Sequence, residues 1–430
     1  MEGQPPQSTV VVCSNEDGVT FPRQREVVLT ESFAVVLQAS GLGGEPEGLL
    51  YHAGAQEHPG ATRLEIPYAN LAAQSAEIRG ELLEAIEHVL RGADFILGEE
   101  VRRFELSFAE LCGARFAVTV NSGTDALVLA LRALGVGPGD EVVTVPNSFV
   151  ATTSCIVMVG ARPVFVDVRS DYNLDPAQLE RVMTPRTKAI LPVHLTGRPA
   201  DMDPIMALAK ARRVAVVEDA AQAVLAEYRG RKVGSIGAIG CFSLHPLKTL
   251  GACGDAGVLT TQDEELRERL LLLRNLGLRT RDDCTRWSGN SRLDTIQAAV
   301  LLVKLKYVHE WTEKRRAHAS LYRSALNGIP ELDIPTDKPH EKAVYHTFVI
   351  QADRRDDLKR YLALRGIGTA VHYPVPIHLQ SAARDLGYHR GMFPVAEHQA
   401  GRILSLPVYP ELRADEIDHI CGAIHAFYGT

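Results

Sequence analysis

Among 430 residues there is no Cys-x-x-Cys pair, no basic excess and no apolar run long enough to cross a bilayer. Each absence removes a class of protein. The seven cysteines, Cys13, Cys112, Cys155, Cys241, Cys253, Cys284 and Cys421, are scattered and odd in number. That pattern speaks against a disulfide framework or a zinc knuckle, so no metal is expected, and it fits reduced thiols in a cytoplasmic protein. A net charge of -7 argues against a general nucleic-acid binder, which would carry a basic stripe, but a local pocket can still attract anions. Without ~18 consecutive apolar residues no membrane helix is expected. The start, Met1-Glu2-Gly3-Gln4-Pro5-Pro6, lacks the basic opening of a secretory signal.

What remains is ordinary globular composition, 46% hydrophobic and 23% charged, in a chain too long for one simple core. Residues 1–64 carry Pro5-Pro6, Gly41-Leu42-Gly43-Gly44 and His58-Pro59-Gly60 around two β-rich pieces, Thr9 to Val12 and Glu26 to Leu37. This extension has no role legible in its residues. From Ile66 the pattern becomes regular. Apolar spacing predicts helices over Ala76 to Leu90, Val101 to Leu111 and Thr124 to Leu134. Strands are expected at Phe116 to Val120, Glu141 to Val145, Arg162 to Val166, Ala189 to Val193, Val214 to Glu218 and Gly240 to Leu244. Such alternation implies a mostly parallel sheet covered on both faces. A long helix is expected after Leu293, ending near Trp311 to Arg316. The tail then reads as a smaller α/β domain, with a strand at Tyr345 to Ile350, a helix at Arg354 to Leu364, a strand-like loop at Thr369 to Tyr373 and a helix at Ala414 to Phe427. The resulting division is 1–64, 65–312 and 313–430.

The chemistry centres on Lys248. It follows an apolar strand and precedes a glycine-rich stretch, Leu250-Gly251-Ala252-Cys253-Gly254-Asp255-Ala256-Gly257. Upstream, Asp219 ends the apolar run Val214 to Val217. An acid after one strand and a lysine after the next is what a pyridoxal phosphate site needs. The lysine carries the cofactor covalently and the carboxylate keeps the pyridine nitrogen protonated. Alone, Lys248 reads better as a solvated loop lysine, and Asp219 has a lesser reading as a helix cap beside an exposed Gln222. Asn121-Ser122-Gly123-Thr124-Asp125 joins a strand to a helix whose first amides face an anion. By itself that turn is more often just an N-cap. Phe149, in Pro146-Asn147-Ser148-Phe149, reads equally as a cover for a flat ring or as a core residue.

Taken together, the segments resemble the DegT/DnrJ/EryC1/StrS family of sugar aminotransferases. The likeness spans about residues 66–428. It rests on Ile66-Pro67-Tyr68, Phe95-Ile96-Leu97-Gly98, Asn121 to Leu127, Glu218-Asp219-Ala220-Ala221-Gln222-Ala223, Phe242-Ser243-x-His245-Pro246-x-Lys248, Gly254-Asp255-Ala256-Gly257, Arg274-Asn275-x-Gly277 and Asn290-Ser291-Arg292-Leu293-Asp294. The resemblance implies the fold type I architecture of pyridoxal phosphate-dependent transferases: an α/β fold with a mostly parallel seven-stranded sheet flanked by helices, plus a smaller C-terminal α/β domain. It implies that Lys248 holds the cofactor, Asp219 faces the ring nitrogen, Gln222 the ring oxygen and Phe149 a ring face. Gly123, Thr124 and Ser243 would take the phosphate, and Asn290 would reach the cofactor of a second subunit in a homodimer. Arg292 is implied as a contact for the amino donor's carboxylate. His372, Tyr373 and His378, in His372-Tyr373-Pro374-x-Pro376-x-His378, lie in the implied substrate loop.

The implied reaction moves an amino group from L-glutamate to a nucleotide-linked keto-deoxysugar. The glycine-rich loop is closer to members acting at C3 or C2 than at C4. Departures at Ser75, Thr196, Val224-Leu225, Leu247 and Thr249 leave the acceptor open. An aminocyclitol or other natural-product ketone is the alternative acceptor, and a pyridoxal phosphate-binding regulator without turnover is the alternative class.

Overall fold

The computed structural model describes residues 64–430. The expected strands of the extension, Thr9 to Val12 and Glu26 to Leu37, lie outside the described residues. Three helices come first: α1 (Leu71–Glu77), α2 (Arg79–Gly92) and α3 (Glu99–Cys112). The single helix expected over Ala76 to Leu90 is therefore two, broken at Ile78, whose ψ of 14° departs from helical geometry. Ile78 is buried with Leu82 against Trp311, so packing wins over continuing the periodic run.

The main sheet has seven strands: β1 (Phe116–Val120), β2 (Glu141–Thr144), β3 (Arg162–Phe165), β4 (Thr187–Ile190), β5 (Ala215–Asp219), β6 (Ile239–Ser243) and β7 (Gly257–Thr261). Their spatial order is β1-β7-β6-β5-β4-β2-β3. All adjacent pairs from β6 across to β3 are parallel, and β7 alone runs against its neighbours β1 and β6. β2, β5 and β6 are almost wholly buried, so Val142-Val143, Val216-Val217 and Cys241-Phe242 read as apolar runs, whereas β3 and β4 keep Arg162 and Lys188 exposed.

Helices α4 (Gly123–Ala133), α5 (Ala151–Met158), α6 (Met202–Arg212) and α7 (Glu264–Arg274) belong to this layer structure. In α4, Ala126 through Leu131 are all buried. A helix apolar all round is one wrapped in core, and α4 packs on α5, α7 and the strands beneath. Its start is set by Ser122, whose side chain accepts from the Asp125 amide at 3.1 Å.

Two helices replace the long one expected after Leu293: α8 (Thr295–Leu305) and α9 (Val308–Leu326). Beyond them, β8 (Leu332–Asp333), β9 (Phe348–Ala352) and β10 (Ile403–Leu406) form an antiparallel sheet in the order β8-β9-β10. It packs on α9, α10 (Arg355–Ala363), α11 (Pro394–Arg402) and α12 (Ala414–Tyr428). The core of this part holds Tyr322, Phe348, Leu358, Leu404, Ile417 and one residue from far upstream, Ile66. Ile66 is tied in by two backbone bonds of 2.8 Å, to the Gly366 carbonyl and from the Gly368 amide. Gly366, at φ +76°, lets this approach happen: a Cβ there would sit 2.3 Å from the Leu64 carbonyl oxygen.

Candidate active site

The candidate residues gather at the carboxyl edge of the parallel strands, where sheets of this kind place ligands. β5 ends in Asp219, β6 ends in Ser243, β1 leads through Ser122 into α4, and β2 leads through Asn147 into α5. Register fixes the spacing: Asp219 pairs with Cys241, so Ser243 projects two residues further along the neighbouring strand.

Asp219 is only 4% exposed. Its Oδ2 accepts from Thr152 Oγ1 at 2.7 Å, and its Oδ1 accepts from the Ala221 amide at 3.2 Å. Thr152 in turn shares a 2.7 Å bond with Ser148 Oγ. Burial pushes the Asp219 carboxyl above its usual range, against the bonds from Thr152 and Ala221 and the charge of Lys248. Lys248 is half-buried. Burial lowers its amine to about 8, with the Asp219 charge opposing. Each shift has desolvation as its first cause and the other group as a counterweight, so acid and amine form one electrostatic unit.

Gln222 is buried, not the exposed residue of a simple cap. Its Oε1 accepts from the Thr196 amide at 2.7 Å, and its Nε2 reaches the Tyr373 hydroxyl at 3.4 Å. The amide orientation is thereby fixed, with the NH2 end turned toward Tyr373. Phe149 is 53% exposed, with its ring 5.7 Å from that of Tyr373. A large aromatic left in the open beside buried polar groups is a ready platform for a flat ligand.

At the α4 turn the backbones are crowded. A Cβ on Gly123 would lie 2.6 Å from Ser243 Cβ, and one on Gly257 would lie 2.3 Å from the Ser122 carbonyl oxygen. Asp125 spends its amide on Ser122, whereas the first amides, of Gly123 and Thr124, have no acceptor within the helix. The donor set fits a bound phosphate, and the buried carboxylate, lacking a bonded cation, fits a protonated ring nitrogen.

The remaining candidates sit differently. Asn290 is exposed, and its Oδ1 takes Arg292 Nε at 2.8 Å. Arg292 Nη1 also reaches Asn275 at 3.3 Å. The intervening Ser291 carbonyl receives the Asn121 amide at 3.1 Å, which places this segment beside the α4 turn. His372 is half-buried, with Nδ1 2.9 Å from Ser405 Oγ. His378 does not join the cluster. Its Nε2 pairs with Glu397 at 3.0 Å, and its buried ring packs edge-on to Phe393 at 4.7 Å.

Sequence reasoning passed over several contributors. Thr152 stands one helical turn after Phe149, which is the signal that would have found it. Behind Asp219, the fully buried Glu218 accepts from His194 Nε2 at 3.0 Å and from the amides of Gly234, Ile236 and Gly237 at 2.8, 2.8 and 2.6 Å. The His194 tautomer is fixed, because Nδ1 accepts from the Ala200 amide at 3.0 Å. Despite burial, this set of donors holds the Glu218 carboxyl below its usual range.

A buried acid, a lysine with a lowered amine and a helix start with two free amides gather at one sheet edge, a set that fits a transferase of the pyridoxal phosphate type. Residues 76–425 match the DegT/DnrJ/EryC1/StrS aminotransferase family, and the chain belongs to it. It is similar to the erythromycin biosynthesis sensory transduction protein EryC1 of Saccharopolyspora erythraea, at 43% identity over 364 residues, 84% of this chain and 100% of that one. It is equally similar, 43% over 360 residues, to the dTDP-3-amino-3,4,6-trideoxy-alpha-D-glucose transaminase of Streptomyces venezuelae, covering 84% and 95% of the two chains. A crystal structure of S. venezuelae DesV in complex with a ketimine intermediate superposes with a TM-score of 0.84 at 43% identity, covering 85% of this chain and 99% of that one. The family uses pyridoxal phosphate, and related solved structures include the pyridoxal and pyridoxamine forms. Among the described residues no helix is long and apolar enough to cross a membrane.

Proposed function

We propose that this aminotransferase uses pyridoxal 5'-phosphate to move an amino group from L-glutamate to the C3 keto group of a nucleotide-linked deoxysugar, in the cytoplasm and as a homodimer. The observation that carries the reading is the buried Asp219 at the end of β5, held by Thr152 and the Ala221 amide, close enough to Lys248 that each group's charge acts on the other. The similarity to the S. venezuelae 3-amino-sugar transaminase supports the C3 sugar acceptor. When bound, the cofactor supplies an electron sink that stabilises charge at the carbon losing its proton.

The protein's own groups do the rest. Lys248, substantially neutral at pH 8, is a nucleophile for holding the cofactor and afterwards a base that takes and returns the α-proton at Nζ. Asp219, oriented by Thr152, keeps a positive charge on the ring nitrogen. Gln222 offers its NH2 to the ring oxygen. The amides of Gly123 and Thr124, with Ser243, hold the phosphate, and Phe149 covers a ring face. Asn290 reaches the phosphate bound to the other subunit, and Arg292 takes a donor carboxylate. His372 and Tyr373 line the sugar side, whereas His378 supports their loop through Glu397.

The test combines cofactor spectra with product analysis. Adding glutamate to the holoenzyme should shift the cofactor absorbance, and a panel of nucleotide keto sugars should yield a 3-amino product. Lys248→Ala should abolish turnover while keeping the fold. No glutamate-dependent shift, or full activity in Lys248→Ala, refutes the proposal. Amination of free cyclitol ketones without any nucleotide would move the acceptor to the alternative class.

A further inference from the structure

Helix α8 carries a buried lysine to which the mechanism above gives no task. Lys304 is 4% exposed. Its Nζ donates to the Gly251 carbonyl at 2.7 Å, and among the described residues it forms no ion pair with a carboxylate. A buried ammonium without a counter-ion is costly, and methionine would fill a similar volume without that cost. The hydrogen bond is therefore what the lysine supplies. Burial lowers the amine, but charged or neutral, Nζ keeps a proton to give. Two helical turns earlier, on the same face of α8, Gln297 takes hold of Cys253. Its Oε1 accepts from the Cys253 amide at 2.8 Å, and its Nε2 donates to the Cys253 carbonyl at 3.1 Å.

Both side chains hold the far side of the loop that carries Lys248. The loop leaves β6 at Leu244 and closes at Ala252, whose amide donates to the Leu244 carbonyl at 2.8 Å. Within it, the Lys248 amide donates to the His245 carbonyl at 2.8 Å. The two limbs touch: a Cβ on Gly251 would stand 2.5 Å from the Pro246 carbonyl oxygen. Leu250 and Ala252 share one buried core with Ala298 and Leu301 of α8. The helix thus presses its apolar face on the loop while its two polar side chains tie down the loop's backbone. The helix is itself pinned at its start, where Thr295 Oγ1 accepts from the Gly98 amide at 3.1 Å.

We propose that Gln297 and Lys304 are positioning residues that hold the loop from Leu244 to Cys253 shut on α8, and so fix where Lys248 stands and limit the water at its amine. The consequence for the reaction rests on the reading of Lys248 as the residue that holds the cofactor and moves the proton, whereas the clamp is a property of the protein alone.

Two readouts separate these parts. Trace acylation of the full-length cofactor-free protein with acetic anhydride at a series of pH values, read by mass spectrometry of the peptide that holds Lys248, titrates this amine without cofactor or sugar. The unaltered protein should titrate near 8. Gln297→Ala and Lys304→Met should each raise the midpoint by about one unit toward the ordinary 10.5, as water reaches the amine. A midpoint already near 10.5 in the unaltered protein, or one unmoved in the variants, overturns the proposal. That holds even where urea unfolding shows a variant to be less stable, because a bond that merely supports the fold has no reason to act on this amine. In the holoenzyme, the single-turnover rate with glutamate should fall about tenfold in both variants, while the glutamate concentration giving half that rate changes little, since the proton-moving group is displaced and donor binding is not. An unchanged rate with weaker glutamate binding also overturns it. If Lys304→Met does not fold, Gln297→Ala removes a half-buried side chain and is read in the same two ways. An unaltered holoenzyme that gives no response to glutamate removes the aminotransferase reading and leaves the clamp to the labelling.

Discussion

Replacing Lys248 by methionine should make the cofactor-free protein more stable at neutral pH, although it destroys the enzyme. The unaltered lysine carries its proton at a cost. Its amine falls from an ordinary 10.5 to about 8, chiefly because burial disfavours the charge. That difference corresponds to about 3 kcal/mol against the charged form in the folded state. Methionine fills a similar volume with no charge to desolvate. The gain is at most about 3 kcal/mol, because Asp219 loses its neighbouring cation in the variant. The sign with pH follows from linkage. A lysine depressed on folding destabilises fully below pH 8, where both folded and unfolded forms are protonated, and the penalty fades as pH rises from 8 to 10.5. Urea unfolding of both apo proteins between pH 7 and 10.5 measures it. The stability gap should be widest at pH 7 and close toward pH 10.5. A variant no more stable at pH 7, or a gap independent of pH, would refute the assignment of Lys248 as an amine whose charge the folded state disfavours.

Two further outcomes test the scaffold. Gly123→Ala should weaken cofactor binding by more than about tenfold, because its Cβ would stand 2.6 Å from Ser243 Cβ and force the cradle apart; titration of the apo protein followed by absorbance reads this directly. Glu218→Gln should cost about 3 kcal/mol in urea unfolding, since the buried carboxylate alone accepts from His194 and the amides of Gly234, Ile236 and Gly237.

Much of this fold was legible because parallel strands buried on both faces leave apolar runs that need no partner to be seen. β1 is found at the expected residues, β2 and β3 end one residue early, β5 and β6 are offset by one residue at both ends, and β4 lies at Thr187–Ile190, upstream of the expected Ala189 to Val193. β7 escaped the strand-by-strand reading because Gly257-Val258-Leu259-Thr260-Thr261 emerges directly from the glycine-rich loop, without a turn signal of its own. The break between α8 and α9 escaped because apolar spacing continues through Lys306-Tyr307, while the chain turns there to bury Trp311 against Ile78 and Leu82. At the site, strand ends identified Asp219 and Ser243, since chemistry at a sheet edge needs residues at strand ends. Thr152 and Ser148 were passed over for the opposite reason. Thr152 acts through a bond to Asp219, far away in sequence, and Ser148 acts through Thr152, so the one-turn offset of Thr152 from Phe149 is the sole local sign of either. His378 is placed apart from the cluster. Its spacing in a Pro-rich loop resembles a ligand contact, but the apolar Phe393 and acidic Glu397 of a later segment claim it for the interior.

The anchoring of Ile66 bears on how the polypeptide can be divided. The smaller C-terminal core is completed by a segment that precedes the whole seven-stranded layer, so residues 313–430 made by themselves would present an apolar socket where Ile66 belongs. The large layer is therefore an insertion between two parts of one hydrophobic unit. Separating that unit requires joining residues 64–70 to the later segment through a new linker, and cutting the chain at the α8–α9 junction would leave each half holding a surface meant for the other.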